Sequence, residues 1–202
     1  MDSARGHQDQ LTAPGCRGSR FYLRHNGEMP DYARALHESF VHFSRKQLKD
    51  EYWPKIRRCL DSLTDEQIWW RPNDESNSIG NLLLHLNGNV RQWIVASLGG
   101  ISNVRDRDAE FAERNGKERA AMVSALEETL AEFDRILAAA DTDDLLKTYT
   151  IQRYENVTGL EAIYHVVEHF SMHCGQILYI TKLLSGSDLG FYKQLSGWGQ
   201  VP

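Results

Sequence analysis

The 202-residue chain reads as an all-α protein organised as a four-helix bundle. Three observations predict this. Four long segments carry apolar residues at helical spacing, joined by links too short for much else. Capping residues at Thr64, Asn77 and Ser78, and glycine stops at Gly99, Gly100 and Gly186, punctuate those segments. The composition, 41% hydrophobic and 25% charged, is close to that of an ordinary globular domain, and the length suits one core.

Residues 1–31 are rich in Gly, Arg, Gln and Ser and show no apolar periodicity, which predicts a disordered tail. One domain then spans 32–202, with Asp31 placed to cap its first helix. That helix covers 32–62, where Leu36, Phe40, Phe43, Leu48, Tyr52, Ile56 and Leu60 recur at mixed helical spacings. Pro54 removes a helical hydrogen bond and predicts a kink or a restart. His37 and His42 have no ligand-type pattern around them and read as solvated or packed.

Thr64, with Gln67 three residues on, opens a short helix that closes near Trp70. The paired Trp69 and Trp70, before the turn at Arg71, Pro72 and Asn73, read as a core plug. The second long helix runs 79–98 through Ile79, Leu82, Leu83, Leu86, Val90, Trp93 and Ile94. His85 interrupts its leucine-rich face; alone, such a ring is usually a satisfied core histidine. Residues 101–116 form a charged connector, and the third long helix covers 117–140. Residues 141–156 read as an irregular link in which Thr148, Tyr149, Thr150 and Ile151 suit a short extended piece. The fourth helix covers 159–184, and the aromatic tail after it, with Phe191, Tyr192, Leu195 and Trp198, is expected to pack back on the bundle or on a second subunit.

The fourth helix carries the chemistry. His165, His169 and His173 recur every four residues and so form one stripe, extended by Ala162, Met172, Gln176 and Ile180. Each ring has two nitrogens that need partners, and a metal ion satisfies one nitrogen per ring. A histidine row satisfied by hydrogen bonds alone is the competing reading. In a bundle, His85 and the stripe are placed to meet.

Composition removes several classes. A net charge of −5 argues against a general nucleic-acid surface. No run is apolar and long enough to span a membrane, and the N-terminus lacks a signal-type apolar region. Cys16, Cys59 and Cys174 are odd in number and far apart, a reduced, cytoplasmic pattern. Cys174 follows His173 but turns away from the stripe, so it reads as structural.

Three stretches resemble the DinB/YfiT-like superfamily: the run Trp69 to Pro72, the run from Ser76 through His85 to Trp93, and His165, Glu168 and His169 followed by His173, Cys174, Gly175 and Gln176. The likeness covers about 33–195 and is nearest to a subfamily of unknown function. It implies a four-helix bundle with a divalent metal, typically zinc or nickel, held by His85, His169 and His173. His165 matches a recurring histidine outside that ligand set. The resemblance also implies a homodimer and a thiol S-transferase or isomerase that uses a low-molecular-weight thiol. Three neutral imidazoles leave an open position on a divalent ion, where a thiol or water is acidified into a nucleophile.

Glu168 lies about 100° round the helix from its ligand neighbour, which suits a surface role better than a base. Gln176, Asn81 and Asn89 are each one turn from a candidate ligand, able to orient its ring or to bond a neighbouring helix. His165, Glu168 and His169 also fit the H-x-x-E-H pattern of inverted zinc peptidases, but only Asp188 remains downstream as an acidic third ligand. A non-enzymatic metal-binding bundle, acting as a stress-related interaction module, would use the same ligands.

Overall fold

The computed structural model describes residues 31–193 apart from residue 103. The tail expected before residue 31, and Leu195 and Trp198 of the C-terminal segment, lie outside the described residues. The chain is mostly helical, with one small sheet.

Helix α1 (Asp31–Lys46) passes without a break through a wide π-helical turn, Gln47–Tyr52, into α2 (Trp53–Asp61). Pro54 neither ends nor restarts the helix. The turn before it widens instead, and the Trp53 N–H reaches back to the Leu48 carbonyl. A wide turn accommodates a missing donor that a regular α-helix would leave as a gap. Helix α3 (Asp65–Trp69) starts as its residues dictate, with the Gln67 N–H donating to Thr64 Oγ1 and the Thr64 N–H to Gln67 Oε1.

Helix α4 (Ile79–Val90) opens on the same kind of box between Ser78 and Asn81, then runs into a second π-helical turn, Arg91–Ala96. The expected connector contains a short helix, α5 (Arg107–Ala112), capped by Asp106. Helix α6 (Arg119–Ala139) follows. Its Arg119 guanidinium donates to the Leu60 and Leu63 carbonyls and to Asp65, which satisfies the open end of α2.

The link expected to be irregular is structured. It holds α7 (Thr142–Leu146) and an antiparallel hairpin, β1 (Thr148–Ile151) with β2 (Tyr154–Thr158). The extended reading of Thr148 to Ile151 matches β1; its partner strand, rich in Tyr, Glu and Asn, gives no alternation and was missed. The purely helical expectation is corrected to that extent. Thr158 and Glu161 form the capping box of α8 (Gly159–Ser185), which ends at Gly186 in the left-handed region, φ 62°.

Helix α4 packs against α6 and α8, α2 against α8, and α1 against α6. Leu48, Ile56, Leu60, Ile79, Leu82, Leu86, Ile94, Leu126, Phe133 and Phe170 are fully buried between them. Trp69 packs against this core from α3, as a plug should, and Leu189 and Phe191 fold back onto it from the C-terminal side. Helix α1 differs from its expected inner face, since Leu36 is 69% exposed and Phe43 58%. Helical spacing alone did not say which apolar residues would find a partner.

The contrast gives a test. Phe133→Ala should cost about 3–5 kcal/mol in denaturant unfolding, because it deletes a buried ring and leaves a cavity. Leu36→Ala should stay within about 0.5 kcal/mol. A large loss at Leu36 would mean that this face of α1 is covered in solution.

Candidate metal centre

One face of α4 is polar within a leucine-rich helix. Asn81, His85, Gly88 and Asn89 fall at spacings of four, seven and eight and share that face. The same geometry on α8 aligns His165, His169 and His173. The packing of α4 on α8 turns the two faces together. His85 Nε2 and His173 Nε2 each lie 3.1 Å from His169 Nε2, and one nitrogen of each ring falls within 4.8 Å of the other two. His85 and His173 are buried and His169 half-buried.

Hydrogen bonds on the far side of two rings decide which nitrogens face inward. His85 Nδ1 is 3.0 Å from Glu110 Oε2. An ionised carboxylate only accepts, so this contact is a hydrogen bond when Nδ1 carries the proton, which leaves Nε2 of the neutral ring as a lone pair. Burial opposes ionisation of Glu110, but hydrogen bonds from Arg105 and His85 outweigh it and hold the carboxyl below its usual range. His173 Nδ1 likewise donates to Gln176 Oε1 at 2.7 Å, which leaves its Nε2 as a lone pair. Of the two sequence readings of Gln176, the one that orients a ligand ring agrees with this contact.

Two lone pairs therefore face His169 Nε2. A proton there can serve only one of them, and His169 Nδ1 is buried with no hydrogen-bond partner. Any arrangement of protons leaves a buried nitrogen unsatisfied. A cation accepting all three lone pairs satisfies the Nε2 atoms together and leaves His169 Nδ1 alone without a partner. An ion with metal–nitrogen distances of about 2.0–2.1 Å in tetrahedral geometry places its donors about 3.3 Å apart, close to the two 3.1 Å separations at His169. The three histidines could thus hold a metal ion.

His165 stands apart. Its Nε2 accepts from Asn89 Nδ2 at 3.2 Å, and its ring packs on Trp93 with centroids 3.9 Å apart. That occupies the nitrogen an H-x-x-E-H zinc site would need, and Glu168 is exposed to solvent. Met172, grouped with the stripe from spacing, is 50% exposed. Asn81 has a different task from ring orientation: its Nδ2 donates to the Glu110 and Glu113 carbonyls at 2.9 Å each and pins α5 over α4. Phe111, on the same helix, covers His85 with ring centroids 4.6 Å apart.

Sequence reasoning missed Arg105, Glu110 and Gln92. Arg105 binds Glu110 through Nε and Nη2 at 2.6 and 2.7 Å, and its Nη1 donates to Gln92 Oε1, which also accepts from Gln152 Nε2. No spacing rule links Glu110 to a histidine 25 positions earlier. The π-helical turn at Arg91–Ala96 is a second missed feature; such wide turns concentrate at functional sites. The two described cysteines behave as structural residues. Cys59 and Cys174 are buried and unpaired, and burial pushes the Cys174 thiol up to about 12.

Burial depresses His169 to about 3, and the charges of His173, His85, His165 and Arg105 act in the same direction. The unfolded chain binds a proton there below about pH 6.5 that the folded protein refuses until about pH 3. The metal-free protein should therefore lose stability as pH falls through that window. Denaturant titrations near pH 7 and near pH 4.5 measure the loss, which His169→Gln should reduce. An equal loss in the variant would remove His169 as its source.

Comparison with curated proteins finds no match. Among solved structures, a crystal structure titled as the conserved protein of locus from Enterococcus faecalis matches with a TM-score of 0.57 at 15% identity. The match covers 79% of this chain and 100% of that one, and at such identity it speaks to the fold alone. Residues 35–196 match the family model described as "Protein of unknown function (DUF1572)", and the chain belongs to that family.

Proposed function

We propose that the chain is a four-helix bundle of the DinB/YfiT-like kind that holds one divalent ion, zinc or nickel, through His85, His169 and His173. It uses that ion for metal-assisted nucleophilic transfer with a small thiol as substrate. The observation that carries this reading is the convergence of three imidazole nitrogens, one from each ring, within 4.8 Å of one another. Imidazoles suit both metals. When bound, such an ion supplies the charge that stabilises a thiolate or hydroxide at neutral pH.

The chain's own residues do the rest. Gln176 accepts from His173 Nδ1 and so keeps that ring in the tautomer that binds a cation. Phe111 shields the outer face of His85 from water, and Trp93 with Asn89 holds His165 beside His169, with ring centroids 5.3 Å apart. Among the described residues the metal-ligand group contains three side chains, the pattern of a centre with an open position rather than a closed structural one. This favours an enzyme over a metal-stabilised interaction module. The unpaired, buried Cys59 and Cys174 support a reducing, cytoplasmic setting, and the exposed Tyr32, Leu36 and Phe43 on α1 support a homodimer.

Elemental analysis of protein produced with zinc and nickel supplied, and purified without chelator, tests the proposal. Wild type should carry about one equivalent of divalent metal, and His85→Ala and His169→Ala should lose it while remaining folded. Metal-free wild type would sink the proposal and leave the histidines as packing.

A further inference from the structure

We propose that Glu110 is a positioning residue for the histidine centre. Seated on Gly88 and locked by Arg105, its carboxylate fixes His85 as the Nδ1–H tautomer and so aims the Nε2 lone pair at the ion. The inference rests on the three-histidine reading above and gives that site a second layer drawn from the charged connector.

The geometry of the pair is specific. Arg105 grips Glu110 with two parallel hydrogen bonds of 2.6 and 2.7 Å, and only 4% and 10% of the two side chains are exposed. A third hydrogen bond, from Arg105 Nη1 to Gln92 Oε1 at 2.9 Å, fixes the guanidinium from α4's π-helical extension. Asn81 fixes the backbone of Glu110 through its carbonyl. Arg105 Nη2 is also 3.0 Å from His85 Nδ1. Both nitrogens carry hydrogens when each donates to Glu110 Oε2, so the carboxylate oxygen is the shared acceptor of a three-group contact.

Gly88 makes this contact possible. A Cβ at that position would overlap Glu110 Oε1 and come within 2.7 Å of Arg105 Nε. A helix interior otherwise favours alanine over glycine, so this position gives up helix stability where the carboxylate sits down. Fastening the connector would not need such an arrangement. Two charges removed from water contribute little net stability even when well paired, and fastening is already done by Asn81 and Phe111. What the buried pair adds is an acceptor, held without freedom, against one nitrogen of one ligand ring. Partners of this kind raise the basicity of a ligand histidine and its metal affinity, typically by about 10–100-fold.

Glu110→Gln and Gly88→Ala test the inference from two sides, the first altering the acceptor and the second displacing it with every charged group intact. Zinc affinity is read by competition with a chromophoric chelator. The His85 tautomer is read separately, by nitrogen-15 NMR of the metal-free protein, which a merely structural ion pair would not move. Wild-type His85 should carry its proton on Nδ1. Both variants should bind zinc about 10–100-fold more weakly and show His85 shifted towards the Nε2–H form, with unchanged far-UV circular dichroism. Wild-type affinity and an unshifted tautomer in folded Gly88→Ala or Glu110→Gln would overturn the proposal while leaving the three-histidine site standing. Wild type that binds no zinc would remove the site and this inference together. Should Glu110→Gln fail to fold, Gly88→Ala decides alone.

Discussion

Imidazole nitrogens need partners once they leave water, and that need governs the centre of this protein. Three rings meet from two helices, and each brings two nitrogens. The structure sets Glu110 and Gln176 against two of the six and leaves the His169 Nδ1 without a partner. The remaining nitrogens face one another at 3.1 Å around His169. No placement of protons satisfies that set, because a proton serves one lone pair and blocks another. The stable core around α4 and α8 holds the rings in this condition, so the cost is borne by packing elsewhere.

The polar face of α4 is the organising surface. Asn81 holds α5 in place, His85 offers a lone pair, Gly88 leaves room for a carboxylate and Asn89 orients His165. These four residues point one way because a helix repeats every 3.6 residues. The opposite face, with Leu82, Leu83, Leu86 and Val90, is buried in the core and keeps the helix from turning. A single helix thus couples hydrophobic packing to site geometry. The wide turn that follows it brings Gln92 and Trp93 into the same neighbourhood, one against Arg105 and the other against His165.

Much of the fold was legible in the chain. Thr64 with Gln67, and Ser78 as a cap, mark helix starts that hold in the structure, and the left-handed Gly186 closes α8 where a glycine was expected to close it. These signals are local. A capping hydroxyl needs only the N–H three residues on, and a left-handed turn needs only a residue without Cβ. The histidine stripe was legible for the same reason, since helical repeat alone aligns residues four apart. Local signals failed where tertiary contacts chose among equals. Leu36, Phe43 and Met172 have the spacing of buried residues and are exposed, because no neighbour covers them among the described residues. The hairpin strand Tyr154–Thr158 carries no alternating pattern, so pairing with β1 rather than its own residues defines it.

The sequence by itself determined that this is a mostly helical chain with three histidines in register on its last long helix and a fourth histidine in a leucine-rich one. Periodicity and capping act over a few residues, and both can be read without knowing the partner. The family resemblance had named His85, His169 and His173 as a set, but only the tertiary structure could bring their rings together. It brought His85 to His169 and His173, turned His165 towards Asn89 and Trp93, and laid a buried Arg105–Glu110 pair from an unremarked charged connector against His85. The reason is physical: a buried charge takes its position from the partners that compensate it, and those partners lie in distant parts of the chain.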